Sequence, residues 1–260
     1  MAMEYLPMKQ RTKIQDLYDR CNLVFSGYQG ITPTIEEIQW LQDILAKTES
    51  IDVGIDGSGD DDGLVKPLIR GSKLERITYV HIHECDRFSM GVFCFPAGAQ
   101  LPLHDHPEMV VLSRVLYGSV LTRAYDWVMP PDPRYKNCGL ARIVIDDQVL
   151  DSASPPSVLF PTSGGNLHTF TALTPCAILD VLSPPYSEEK GRPSTYYTEI
   201  SIPCFEGFAV LKETSVPDDL FVDGALYLGP ELVLDDEEDD DDDDDDVGME
   251  EEDDNVDGDD

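Results

Sequence analysis

Residues 98–118 read GAQLPLHDHPEMVVLSRVLYG, and the two histidines in this stretch, His104 and His106, decide how the chain is understood. They stand two apart among Leu, Pro and Val, the spacing of side chains on one face of a β-strand. At a rise of about 3.3 Å per residue their Cβ atoms lie ~6–7 Å apart. Imidazoles of that reach can meet on one ion at bond lengths of about 2.0–2.2 Å. The spacing alone fits a half-buried polar pair at least as well. The surroundings must choose.

Outward from this stretch the apolar period is two. ITYVHIHE (77–84), FSMGVFCFP (88–96), MVVLSRVLYGSVLTRAYDWV (109–128), LARIVIDDQVLD (140–151), SVLFP (157–161), LHTFTAL (167–173) and CAILDVLS (176–183) are short β-branched or aromatic runs. Pro and Gly punctuate them, which predicts an all-β domain built as an antiparallel barrel or sandwich. TYYTEI and GFAVLKE add late strands. On the N-terminal side the period is helical: Ile14, Leu17, Tyr18, Cys21, Val24 and Phe25 recur at three- and four-residue spacing. A second helix is announced by TPTIEEIQWLQDILAKT, with Thr32 as its cap, Pro33 in its first position and Ile38, Leu41 and Leu45 on its buried face. The chain is thus expected to comprise a helical segment (1–50) packed on the barrel, a flexible Gly/Asp-rich loop (51–72), the barrel (73–234) and a disordered tail (235–260).

Charge narrows the partners. The formal net charge of -34 falls to -14 for residues 1–234 once the 20 Asp and Glu of residues 235–260 are set aside. Nucleic acid and anionic membrane both repel such a surface, and a cationic substrate complements it. The six cysteines are scattered without a CxxC pair, which gives neither a disulfide framework nor a zinc site. Reduced thiols and a soluble, intracellular protein are expected, since MAMEYLPMKQRTKI has no continuous apolar core and no run approaches membrane-spanning length.

Gly98 precedes His104 by six residues and Gly118 follows His106 by twelve. This resembles the first cupin motif: Gly, five residues, HxH, three or four residues, Glu, six residues, Gly. Counting back from Gly118, the Glu slot holds Val111, so the carboxylate of a common cupin site is missing. FPTSGGNLHTF (160–170) resembles the second motif and delivers His168, although Pro161 sits two residues from its usual place. The resemblance implies a double-stranded β-helix (jelly-roll) barrel and a metal shell of His104, His106 and His168. The other alternating pair, His81 and His83, lacks flanking glycines and reads as a solvated or hydrogen-bonded strand face.

Four blocks in order, FCFPAGAQLPLHDHPEMVVLSRVLYGSV, YDWV, FPTSGGNLHTFTAL and PCAILDVLSPPYSEEKGRPSTYY, fall between Lys73 and Leu211. Through them the chain resembles the plant cysteine oxidase family, within the wider thiol dioxygenase group that includes cysteamine dioxygenase. The chain departs from the family where Asp105 replaces Asn and Glu108 replaces Gly, adding negative charge near the metal. The resemblance implies an iron(II), Fe(2+), enzyme that adds both atoms of O2 to the thiol of an N-terminal cysteine, giving the sulfinic acid. It implies protein substrates of the group VII ethylene-response-factor type and oxygen sensing ahead of N-degron degradation. Apart from the resemblance, a monomer is expected because no interface patch stands out, and cytoplasm and nucleus are expected because a chain this small can diffuse without a basic cluster. Three neutral imidazoles suit this chemistry, because iron(II) keeps its full charge and open positions where a thiol can bind as thiolate. By the same resemblance Asp180 orients or deprotonates the substrate amine, and Tyr186 hydrogen bonds near the thiolate or oxygen. Read without the family, Asp180 equally caps the SPPY turn and Tyr186 packs on Pro184 and Pro185. Two alternatives remain: a dioxygenase of small thiols (cysteamine or cysteine), and a non-catalytic metal-binding cupin.

Overall fold

The computed structural model describes residues 11–26, 32–60, 64–67, 75–202 and 205–234. The elements in chain order are α1 (Lys13–Phe25), α2 (Ile35–Lys47), β1 (Ile55–Asp60), β2 (Leu64–Pro67), β3 (Ile77–Glu84), β4 (Ser89–Phe95), β5 (Gln100–Asp105) and β6 (Val110–Tyr117). There follow β7 (Ser119–Asp132), β8 (Cys138–Asp151), β9 (Ser157–Leu159), β10 (Leu167–Ala172), β11 (Cys176–Ser183), β12 (Tyr196–Ser201), β13 (Phe208–Thr214) and β14 (Val222–Ala225).

The strands form two layers. One is a closed ladder in the order β10-β5-β12-β13-β8-β7, and the other is a six-stranded sheet, β14-β3-β4-β11-β6-β9. This is the double-stranded β-helix barrel that the motifs imply. Gly118 divides the long run 109–128 into β6 and β7 and sends the chain from one layer to the other. Its φ is +74°, and a Cβ there would strike the Pro175 carbonyl, so only glycine turns this corner without strain.

Each layer is held by its own apolar contacts. Phe95, Leu101, Val115, Val120, Phe170, Ala172, Cys176 and Ile178 meet between the layers. On the back of the six-stranded sheet, Ile14, Leu17, Leu41 and Leu45 of the helices pack on Val80, Val92, Leu112, Leu179 and Val181. All eight residues of β11 are therefore buried, because helices cover one face and the barrel interior covers the other. The chain thus gives Asp180 a place with almost no water.

Three expectations are corrected in detail. The cap of α2 is Thr34, not Thr32: Thr34 Oγ1 accepts from the Glu37 N–H, and the Glu37 carboxylate accepts from the Thr34 N–H at 2.7 Å. That reciprocal pair satisfies two donors that a start at Pro33 would leave open. Within the expected loop 51–72, residues 50–53 form a 3-10 turn and β1 pairs with β2, while 61–63 and 68–72 lie outside the described residues. β14 pairs with β3 in parallel, a departure from an all-antiparallel sheet. The acidic segment 235–260 lies outside the described residues. Cys21, Cys94 and Cys176 are buried free thiols, as small core hydrophobes would be, and Cys204 is outside the described residues.

Candidate metal centre

β5 and β10 are antiparallel neighbours with His104 directly opposite His168. His106 lies one residue beyond β5, where a turn closes through the Met109 N–H donating to the His106 carbonyl at 3.3 Å. The three rings converge with centroid separations of 4.9 Å (104 to 106), 4.9 Å (104 to 168) and 4.8 Å (106 to 168). All three are buried, and each offers a ring nitrogen within 4.8 Å of the others. Burial holds each imidazole below its usual pKa; for His106 and His168 neighbouring histidines lower it further. They are neutral donors at physiological pH.

The back of each of two rings is anchored. His104 Nδ1 donates to the Pro102 carbonyl at 2.8 Å. Tyr186 Oη donates to the Asp105 carbonyl at 2.6 Å, so it accepts from His106 Nδ1 at 2.8 Å. Both bonds place the proton on Nδ1 and leave the Nε2 lone pair for the centre. His106 Nε2 and His168 Nε2 face each other at 3.4 Å. Two nitrogens bound to one ion at about 2.0–2.1 Å stand ~3.0–3.4 Å apart, so the pair already has the separation a cation requires. A neutral imidazole shell with open positions fits iron, zinc, copper or nickel by ligand type.

Val111, in the slot where a carboxylate would complete a common cupin site, is buried with Met109, Leu159 and Leu182, and Tyr186 packs on that cluster. Among the described residues no carboxylate joins the histidine group. Asp105 turns its side chain to β12, accepting from the Thr195 N–H and from Tyr197 Oη, each at 2.9 Å. Its carboxylate is thus held by Thr195 and Tyr197, and burial, joined by its charge, raises the Tyr186 phenol above its usual pKa. Glu108 adopts φ +60°, the left-handed conformation that glycine takes without strain.

Asp180 is 9% exposed, paired in register with Gly91 and Ser113, and its Oδ1 has no hydrogen-bond partner. Burial pushes its carboxyl up to about 7 against the opposing hydrogen bond of Ser113. Its charge reaches the Tyr186 phenol, which places it close to the group that holds His106. Tyr186 is thus behind a histidine ring, and its one proton is committed to the Asp105 carbonyl. A bond from it to thiolate or oxygen would require leaving that carbonyl.

The structure also places residues that sequence reasoning did not single out. The Tyr79 ring lies across Gly91, where any Cβ would collide with it, and its phenol is pushed up to about 12 by burial and by the charge of Asp180. Asn166 grips His106, accepting from its N–H at 3.3 Å and donating to its carbonyl at 2.7 Å. In sequence the only hint of Asn166 is its position two before His168 after a Gly-Gly pair. His81 and His83 stand apart from the centre. A register shift between them leaves His81 exposed and sends His83 against Tyr18 of α1, ring to ring at 4.9 Å. A cavity of about 770 Å³ lies on the outer face of the closed ladder, lined by Thr169 and Thr171, which alternate with His168 along β10. A cavity of about 30 Å³ lies beside His168 itself.

Comparison with known proteins agrees with this geometry. The family model PCO_ADO matches residues 44–232. "Plant cysteine oxidase 2" from Arabidopsis thaliana is 37% identical, covering 84% of this chain and 83% of its own. "Plant cysteine oxidase 1" from the same plant is also 37% identical, over 85% of this chain and 80% of its own. "2-aminoethanethiol dioxygenase" from Mus musculus is 33% identical, over 80% of this chain and 90% of its own.

Proposed function

This chain belongs to the PCO_ADO family, and on that premise we propose that it is an iron(II) thiol dioxygenase that converts an N-terminal cysteine of a protein or peptide to cysteine sulfinic acid. The observation that carries the proposal is the donor set. Three buried, neutral imidazoles converge, and no carboxylate is grouped with them among the described residues. Iron(II) would be held by His104, His106 and His168, and with three neutral ligands it would keep a full positive charge that favours thiolate over thiol. Both oxygen atoms end on the sulfur, which supplies the electrons that O2 takes up, so no other reductant is consumed.

The chain's own residues then divide the work. The Pro102 carbonyl and Tyr186 fix the tautomers of His104 and His106. Asp180 is the acceptor for the substrate's ammonium group or for its proton, being a buried carboxyl with one oxygen unpartnered. Met109, Val111, Leu159 and Leu182 keep that side of the chamber apolar. A cationic N-terminus is drawn to the -14 net charge of residues 1–234.

The substrates in this reading are proteins of the group VII ethylene-response-factor type, whose oxidation in the presence of O2 feeds N-degron degradation, so that scarce oxygen spares them. The enzyme works as a monomer in the cytoplasm and nucleus, which a fluorescent fusion and size-exclusion chromatography check. A second reading, oxidation of free small thiols, is favoured by the resemblance to the mouse protein named for 2-aminoethanethiol. Mass spectrometry of a Cys-initiating peptide with the protein, iron(II) and 18O2 tests both. Two labelled oxygen atoms on the peptide are expected, with slower uptake on free cysteine or cysteamine; the reverse preference selects the second reading. His168→Ala should abolish labelling and iron binding together, whereas His81→Ala keeps both.

A further inference from the structure

The YDWV stretch contributes a carboxylate that the reaction above leaves unused. Asp126 lies on β7, 4% exposed. Its oxygens accept from three successive backbone N–H groups: Gly165 at 2.8 Å and Asn166 at 3.1 Å on Oδ1, and Gly164 at 3.2 Å on Oδ2. Gly164 and Gly165 have φ of +85° and +88°, which turns consecutive amides toward one acceptor, and a Cβ on Gly165 would run into the Ala124 side chain at 2.6 Å. The Arg142 guanidinium stands 3.8 Å away on a largely exposed side chain. A buried carboxylate is costly unless hydrogen bonds replace its water, and here the loop's own backbone does so.

The next link is Asn166, also 4% exposed. Besides its two bonds to the backbone of His106, its Nδ2 donates to the Phe160 carbonyl at 3.0 Å. His168 follows two residues later on β10. A single connected path therefore runs from Asp126 through residues 164–166 to His106 on one side and His168 on the other.

We infer that Asp126 is a positioning residue of the metal centre, acting through Asn166 to hold His106 and His168 nitrogen to nitrogen at the separation one ion needs. It touches neither ring. The inference rests on the reading of the three histidines as a metal centre. Groups that orient ligands without binding the metal are worth about 10–100-fold in metal affinity, and that is the effect expected here.

The test compares full-length wild type with Asp126→Asn, Asn166→Ala and Ser183→Ala, using iron(II) alone as the probe under anaerobic conditions. Ser183 serves as a control because its hydroxyl donates to the Arg87 carbonyl at 2.8 Å, away from the rings. Titration should show iron(II) bound about 10–100-fold more weakly by Asp126→Asn and by Asn166→Ala. Added iron(II) should raise the unfolding midpoint of both less than that of wild type, since ligand-linked stabilisation follows affinity. Excess iron(II) should restore much of the turnover, with KM for the peptide little changed. Ser183→Ala should lower the midpoint with and without metal alike and keep the wild-type affinity. If Asp126→Asn and Asn166→Ala lower stability yet bind iron(II) as wild type does, the inference is wrong and the network only stabilises the fold. Should Asp126→Asn fail to fold, Asn166→Ala decides by the same readings. If wild type binds no iron(II), the metal-centre reading itself fails, a result distinct from an affinity the variants leave unchanged.

Discussion

Asp180 shows how one residue's surroundings set its chemistry. Both faces of β11 are buried, so its carboxyl ionises near pH 7 rather than at its ordinary 3.8. The consequence for stability has a definite sign. Below about pH 4 the carboxyl is protonated whether the chain is folded or not, and burial costs little. As pH rises from about 4 to about 7, the unfolded chain ionises more readily than the folded one, and stability is lost, on the order of 4 kcal/mol at the plateau. The three buried histidines of the metal-free protein, held below their usual pKa, act in the opposite sense as pH rises toward 7, so the Asp180 contribution is read as the difference between wild type and Asp180→Asn, which should favour the variant increasingly from about pH 4 to about pH 7. Activity runs oppositely, because only the carboxylate accepts from an ammonium group. With iron(II) bound, kcat/KM should rise with pH through the ionisation of Asp180, and Asp180→Asn should lower it by roughly 10²-fold and flatten the profile. Equal pH profiles for variant and wild type would remove Asp180 from the reaction.

At the scale of elements, the helices and the site occupy opposite faces of one sheet. Ile14, Leu17, Leu41 and Leu45 pack on residues that alternate with Asp180 along β11 and its neighbours. Leu41→Ala should cost about 2–5 kcal/mol of stability and leave iron(II) affinity within about twofold, read by denaturant unfolding and metal titration on the same samples. A parallel loss of metal affinity would mean that the helices shape the centre as well as cover the sheet. The sequence made these elements legible to unequal degrees, for physical reasons. Strands and helices that bury one face display that face as a period of two or of three and four, so α1 and β10 can be read directly. The start of α2 is ambiguous in sequence, because Pro33 suits a first helical position after Thr32 while Thr34 with Glu37 three residues on is itself a capping-box pattern, and the reciprocal hydrogen bonds decide for Thr34. β14 shows no alternation because its side chains are largely exposed; it exists through its pairing with β3. For the site, the HxH spacing with its flanking glycines marked His104 and His106, and His168 came through the resemblance of FPTSGGNLHTF to the second cupin motif. Asp126, Asn166 and Tyr79 stayed hidden because their partners lie far away in the chain and a polar residue's partner leaves no periodic trace.

The whole molecule raises the matter of its charge. Residues 235–260 hold 20 acidic groups, yet the chain reaches them from the back of the barrel, where Val233 exchanges hydrogen bonds of 2.8 and 2.9 Å with Gln15 of α1. Between that point and the histidines lie a helix layer and a sheet layer, each roughly 10 Å thick. At physiological ionic strength charges are screened over about 8 Å, so Val233 lies more than two screening lengths from the histidines. Acids on the barrel itself set the local attraction for an ammonium group. Removing residues 235–260 should therefore leave kcat/KM on a Cys-initiating peptide within about twofold near 0.15 M salt. Below about 0.01 M, where the screening length grows to ~30 Å, the truncated enzyme should associate more slowly than the full chain. Peptide oxidation measured across a salt series separates these regimes. A tenfold loss that persists at high salt would overturn the division of labour drawn here, because screening cannot carry an effect of that size and the acidic segment would have to touch the substrate or the barrel mouth.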